Sequence, residues 1–300
     1  MGLNFSRRGF LAAASCFAAA PLAQAEPATL LTVPVMLAGQ GPFRFVVDSG
    51  AERTVLADDL AASLGLAKTG RASVVGIVRE IPTDTVALSQ LDAGSIAARD
   101  LRLPVLPRAW LQADGYLGLD VIDNHRVTFD FRRNRLELND PVLSLFAGYA
   151  RPNESVLAAA GKSGKLRTAD CRVDGVSATA FLDTGAEVSV GNSQLYKMLA
   201  EQGAQFRPTE PMMLTGITGG SLPARALSIA RARLGGFDLS TDGLAIADLP
   251  IFERWGLNDT PALFVGMDFL RRFSRVSIDY GRKQYRLELA SRDTRIAARM

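Results

Sequence analysis

Histidine is nearly absent from this 300-residue chain: His125 is the only one, and only two cysteines, Cys16 and Cys171, accompany it. Those scarcities close off much chemistry. A hydrolase of the Ser-His-Asp kind would depend on His125 beside an activated serine, and no Gly-x-Ser-x-Gly elbow is present. Metal sites need clustered His, Cys or carboxylate ligands. The nearest approach, Asp58-Asp59, reads as a solvated helix start, so no metal and no other cofactor is expected. His125 precedes a strand-like run and reads as a surface or turn residue. Beyond the N-terminus there is no long apolar run, and charge of one sign is not clustered, with 34 Lys+Arg scattered against 31 Asp+Glu. That balance gives no electrostatic footprint for nucleic acid or an anionic membrane.

What the first 25 residues do have is the pattern of an export signal: Ser6-Arg7-Arg8-Gly9-Phe10-Leu11, an Ala-rich apolar stretch, and Ala23-Gln24-Ala25 as a small-x-small cleavage site. The paired Arg before Phe-Leu resembles the bacterial twin-arginine signal, which implies export in the folded state and a periplasmic or secreted product. Retention as a membrane anchor is the alternative, but the stretch from Phe10 to Ala23 falls well short of the ~20 residues that span a bilayer. No stable anchor is expected after cleavage, and Ala13-Ala14-Ser15 fits a lipoprotein signal at Cys16 poorly. Cleavage takes away Arg7 and Arg8 and no acid, leaving 32 basic against 31 acidic side chains. It also leaves Cys171 alone, so no intrachain disulfide can form, and Cys171 reads as a small buried apolar residue.

The rest of the chain repeats itself. Phe45-Val46-Val47-Asp48-Ser49-Gly50-Ala51-Glu52 returns as Ala180-Phe181-Leu182-Asp183-Thr184-Gly185-Ala186-Glu187. Tyr116-Leu117-Gly118-Leu119-Asp120 returns as Phe264-Val265-Gly266-Met267-Asp268, and Arg126-Val127-Thr128-Phe129-Asp130-Phe131 as Arg275-Val276-Ser277-Ile278-Asp279-Tyr280. Three blocks in one order predict two homologous lobes, 27–140 and 166–290, joined by a linker over 141–165 and followed by a tail over 291–300. Within the linker, Ser155 to Ala160 is rich in Ala and predicts a short helix between breakers.

Inside each lobe the pattern is mainly strand. Leu31 to Leu37 and Phe43 to Val47 are apolar-rich runs bounded by Gly or Pro, and the Phe129 and Leu136 runs alternate around Arg132-Arg133-Asn134 as a half-buried hairpin does. Ala57 to Leu64, ended by Gly65, predicts a short helix. Short strands, few helices and a duplication favour an all-β, barrel-like pair of lobes.

An Asp that ends an apolar strand must be charged, paired or neutralised where it is buried. The following Ser49 or Thr184 has a hydroxyl to reach across to a partner loop, and Gly50 or Gly185 permits the tight turn. If the loops meet, two neighbouring carboxylates cannot both ionise and share one proton. One then serves as general base toward a water while the other polarises a carbonyl. The repeated Asp120 and Asp268 are expected to cap or orient the element after Gly, not to react.

These residues resemble the retropepsin-like aspartic peptidases of the pepsin/retropepsin superfamily, in which Asp-[Ser/Thr]-Gly-Ala ends a strand and an apolar-apolar-Gly element packs behind it. Asp48-Ser49-Gly50-Ala51 with Leu117-Gly118 matches that pattern, and so does Asp183-Thr184-Gly185-Ala186 with Val265-Gly266. The resemblance spans nearly all of 27–290. It implies two barrel lobes about a pseudo-two-fold axis, catalysis by Asp48 and Asp183, and support from Ser49, Gly50, Thr184 and Gly185. It also implies a β-hairpin flap over the substrate, for which Val74 to Val78 around Gly76 and Leu214 to Gly220 around Gly216 are the candidates. One departure stands out: viral members place Arg after the second-motif Gly, where this chain has Leu119 and Met267. The expectation is an endopeptidase acting as a monomer on periplasmic peptides or proteins. The alternatives are an inactive peptide-binding module of the same fold and lobes that pair between chains.

Overall fold

The computed structural model describes residues 30–123, 125–139, 153–161, 166–168, 170–241 and 243–289. The export signal, the tail and most of the 141–165 connection lie outside the described residues. The first part of the chain runs β1 (Thr32–Leu37), β2 (Gln40–Val47), β3 (Val55–Ala57), α1 (Asp58–Ser63), β4 (Lys68–Val75), β5 (Glu80–Ala93) and β6 (Ile96–Leu106). Then come α2 (Arg108–Leu111), β7 (Gly115–Leu117), α3 (Leu119–Ile122), β8 (Arg126–Asp130) and β9 (Arg135–Asn139). The second part runs β10 (Glu154–Ala158), β11 (Cys171–Val173), β12 (Val176–Ser177), β13 (Thr179–Leu182), β14 (Val190–Gly191), α4 (Ser193–Glu201), β15 (Met212–Thr215) and β16 (Ser221–Leu227). It closes with β17 (Arg231–Leu234), β18 (Phe237–Ser240), β19 (Leu244–Ile246), α5 (Pro250–Arg254), β20 (Ala262–Val265), α6 (Met267–Leu270), β21 (Arg275–Asp279) and β22 (Gln284–Glu288). The fold is mainly β with short helices, as the strand periodicity predicts. Among the described residues no helix is long and apolar enough to cross a membrane.

In the first part, strands β1-β2-β7-β3-β6-β5-β4 form one sheet, and a further β1–β5 pairing through Met36↔Asp92 and Leu37↔Leu91 curls it into a barrel. Strand β2 passes from exposed Gln40-Gly41-Pro42 to buried Phe45-Val46-Val47, a run apolar on both faces as a strand between layers requires. The chain therefore delivers Asp48 into the interior. Strand β2 runs parallel to β7, and β7 pairs antiparallel with β3. In the second part β13 runs parallel to β20, and β20 pairs antiparallel with β14. At the strand ends the chain makes the same bond twice: Asp48 N donates to Leu117 O at 3.0 Å and Asp183 N to Val265 O at 3.0 Å.

A five-stranded sheet, β10-β22-β21-β8-β9, joins the two parts. At its centre β8 and β21 run antiparallel with Arg275↔Asp130, Thr128↔Ser277 and Asp279↔Arg126 in register. The cross-strand pairs are ionic at both ends, Arg126–Asp279 at 2.6 Å and Arg275–Asp130 at 2.9 Å, with the Thr128 and Ser277 hydroxyls 2.9 Å apart between them.

The short helix expected over Ser155 to Ala160 is not formed. That segment supplies β10, paired antiparallel with β22 from Glu154↔Glu288 to Ala158↔Gln284, with Leu157 buried. Edge pairing and the burial of Leu157 outweigh the helix preference of its alanines, which amounts to a few tenths of a kcal/mol per residue. The helix expected over Ala57 to Leu64 is α1, with Gly65 beyond it at φ 62°. Cys171 is buried, and its thiol is pushed up to about 12 by burial.

Candidate active site

The loops that follow β2 and β13 meet and exchange hydrogen bonds reciprocally. Ser49 Oγ donates to Leu182 O at 2.7 Å and accepts from Thr184 N at 3.0 Å. Thr184 Oγ1 donates to Val47 O at 2.7 Å and accepts from Ser49 N at 3.1 Å. Each hydroxyl thus satisfies a buried carbonyl and a buried amide of the opposite loop, groups that would otherwise go unpaired at a penalty of ~1–3 kcal/mol each.

Between these crossed loops lie Asp48 and Asp183, 9% and 8% exposed, with their carboxyl groups hydrogen-bonded to each other. Only glycine allows that approach. A Cβ on Gly185 would stand 2.5 Å from Asp48 Cγ, and one on Gly50 would stand 3.1 Å from Asp183 Oδ2. The loop amides also fix the carboxylates: Gly50 N and Ala51 N donate to Asp48 Oδ1 at 2.7 and 3.1 Å, and Gly185 N donates to Asp183 Oδ1 at 3.0 Å.

Burial raises the pKa of both acids. For Asp183 the negative charge of Asp48 adds to the rise and the amides of Gly185 and Ala186 oppose it, while the amides of Gly50 and Ala51 and the bond from Asp183 favour the charged form of Asp48. One proton is therefore shared between the two carboxyls, which titrate as a unit.

Behind each acid loop a second tether repeats. Asp120 Oδ1 accepts from Thr54 N and Thr54 Oγ1, both at 2.7 Å, and Thr54 Oγ1 in turn accepts from Gly118 N at 3.0 Å. Asp268 Oδ1 accepts from Ser189 N at 3.0 Å and Ser189 Oγ at 2.5 Å, and Ser189 Oγ accepts from Gly266 N at 2.9 Å. The two repeated acids orient the chain downstream of each acidic loop. The motifs alone did not single out Thr54 and Ser189, although a hydroxyl stands six residues after each Asp of the pair and marks them in hindsight.

Two buried phenols feel the charges of the pair, Tyr116, whose hydroxyl donates to Leu111 O at 3.4 Å, and Tyr280. Tyr116 on β7 is buried, and its ionisation is pushed up by burial and then by the charges of Asp48, Glu187 and Asp183. Tyr280 lies beside Ser49 and is raised well above its ordinary value, chiefly by burial. Both stay neutral.

Gly76 and Gly216 sit in the turns of two hairpins, β4–β5 and β15–β16. The turns meet: a Cβ on Gly76 would lie 2.2 Å from Thr218 Oγ1, and one on Gly216 would lie 3.0 Å from Ile77 Cγ1. His125 stands apart in chemistry, with its ring Nδ1 3.0 Å from Asp123 O at a turn.

Residues 33–121 match a family model described as aspartyl protease. The matched segment contains Asp48-Ser49-Gly50 and Leu117-Gly118, and it supports a general aspartic-protease function. The second motif, at Asp183, lies beyond the matched range. No match is found among curated proteins.

Proposed function

We propose that this chain is a two-lobed aspartic endopeptidase in which Asp48 and Asp183 are the catalytic residues, Ser49, Gly50, Thr184 and Gly185 supporting them, and that it cleaves peptides or proteins in the periplasm after export by its twin-arginine-type signal. One observation carries the reading: two buried, mutually hydrogen-bonded carboxyl groups held by loops that exchange hydroxyl-to-backbone bonds. The match of residues 33–121 to an aspartyl-protease model points the same way.

In the proposed reaction ionised Asp48 takes a proton from a water as its oxygen attacks the scissile carbonyl carbon, and protonated Asp183 hydrogen-bonds to the carbonyl oxygen. Asp183 passes its proton to that oxygen to give a tetrahedral diol; the diol collapses by breaking the C–N bond as the leaving nitrogen takes the proton held by Asp48 and a diol hydroxyl returns its proton to Asp183, so one proton again lies between the carboxyls. Substrate lies extended, its backbone adding strand-like bonds beside the hairpins. Lobe pairing within one chain makes the monomer the working unit, in keeping with the cross-strand pairs of β8 and β21.

The test is a mixed peptide library incubated with the mature protein from acid to neutral pH, with Asp48→Asn and Asp183→Asn alongside. Cleavage by the parent and none by either folded variant is the expected result. Binding of peptides with no cleavage by any of the three would turn the reading to an inactive peptide-binding module, and loss of activity on dilution would turn it to a dimer.

A further inference from the structure

The hairpin tips do more than touch. Arg79 Nε donates to Thr218 O at 3.0 Å, and Thr218 Oγ1 donates back to Arg79 O at 2.9 Å, so each side chain binds the other's backbone carbonyl. Thr218 is wholly buried. The Arg79 guanidinium carbon stands 5.6 Å from the Trp110 ring centroid, which holds the side chain against α2 while its Nε reaches the other hairpin. Just inside the tip, Ile77 packs against the apolar cluster that contains Phe181 and Phe264, on the two strands whose ends position Asp183. Glu80, next to Arg79, lies 3.7 Å from Arg254 on α5. That exposed ion pair adds little energy but shows a third crossing from the first part of the chain to the second.

Nothing in the duplicated motifs calls for this lock, because Arg79 and Thr218 do not occupy repeated positions. We infer that Arg79 is a positioning residue that latches the two hairpins into a single cover over the Asp48–Asp183 pair, so that a peptide reaches the pair only when the Arg79–Thr218 contact opens. The inference rests on the peptidase reading for its consequence in catalysis, but the latch is measurable without any turnover.

Two variants test it in a Cys16→Ser background. In the first, Gly76→Cys with Thr218→Cys, the Cβ atoms start 3.1 Å apart, so the tips need part only slightly to reach the ~3.8 Å spacing of a disulfide. Cys171 is buried and does not compete. The cross-link is expected to form on oxidation of the folded protein, to block cleavage, and to release it on reduction. In the second, Arg79→Ala, amide hydrogen exchange over 76–80 and 216–221 is expected to quicken by about tenfold while the β8–β21 amides are unchanged, as loss of a single charge-assisted bond implies. The same variant is expected to lower KM together with kcat, since entry becomes easier and closure over the bound peptide weaker; a merely structural defect would not lower KM.

Failure of the cross-link to form in folded protein, or exchange in Arg79→Ala equal to the parent, overturns the latch. A cross-linked protein that still cleaves peptides at the parent rate shows that substrate does not enter past the tips, and overturns the gating role. If the parent cleaves nothing, the peptidase reading fails by itself, and cross-linking and exchange still decide the latch.

Discussion

Between the loop at Asp48 and the loop at Asp183 the backbone repeats and the electrostatics do not. Both begin with the same strand-end hydrogen bond and both hand a hydroxyl to the opposite loop. Asp48 Oδ1 takes amides at 2.7 and 3.1 Å, and Asp183 Oδ1 takes one at 3.0 Å while the Ala186 amide also favours its charged form, but Asp183 carries the added burden of its neighbour's charge. The repeated sequence thus supplies two similar acids in similar amide cradles, and the charge of Asp48 is what sets Asp183 apart. A hydrolytic pair needs that inequality, because one member must accept a proton while the other already holds one.

The comparison breaks most visibly in turnover. Asp48→Asn and Asp183→Asn are each expected to lower peptide hydrolysis by at least about 10²-fold, the scale of lost general acid–base catalysis, with circular dichroism unchanged. Equal residual activity in one of them would show that the two acids do not act as a pair. Next in size comes the seam between the parts. Asp279→Ala strands the largely buried Arg126 and is expected to lower stability in urea by ~3–5 kcal/mol. Arg133→Ala, whose side chain is 72% exposed, is expected to change it by less than ~1 kcal/mol.

Below the loss expected at Asp279, Ser49→Ala and Thr184→Val each leave a buried carbonyl and amide of the opposite loop unpaired and are expected to destabilise by ~1–3 kcal/mol. Closely matched losses would show that the loops are equivalent as structure even though their acids are not. The finest discrimination is pH. Asp183 is raised from an ordinary 3.8 to about 8 in the folded protein, so the native state holds more protons than the unfolded one between those values. Its contribution to stability is fully present below pH ~4 and is lost as pH rises toward about 8. Asp183→Asn lacks that proton dependence, so its melting temperature relative to the parent is expected to climb from pH 4 to pH 8. A difference that is flat, or that falls with pH, contradicts the assignment of the proton to Asp183. In the parent, cleavage is expected to fade as pH passes about 8 and the pair loses its shared proton.

Much of this was legible in the residues. The apolar runs into Asp48 and Asp183 announce buried strands, and the ordered recurrence of three blocks leads to the expectation of a paired site. Ser155 to Ala160 misled because alanine content reports local preference, while the strand at Glu154–Ala158 is set by pairing with a segment 130 residues away in sequence that no local pattern reveals. Thr54 and Ser189 were readable only as hydroxyls at a shared offset, since their role appears when Asp120 and Asp268 fold back onto them. Thr218 falls inside the flap candidate Leu214 to Gly220, but nothing in the sequence marks it and Arg79 as partners. They come from different turns, are not duplicated, and are chemically ordinary until the hairpins meet.

The strand pair at the seam has one more consequence. Residues 126–130 begin with Arg and end with Asp, and so do residues 275–279, so either strand laid antiparallel on a copy of itself would match basic to acidic at both ends. Such a contact is isologous: it is the kind two separate, identical subunits use to close a dimer. In this chain the same charge palindrome is satisfied within one molecule, by β8 against β21, where covalent linkage replaces dependence on concentration.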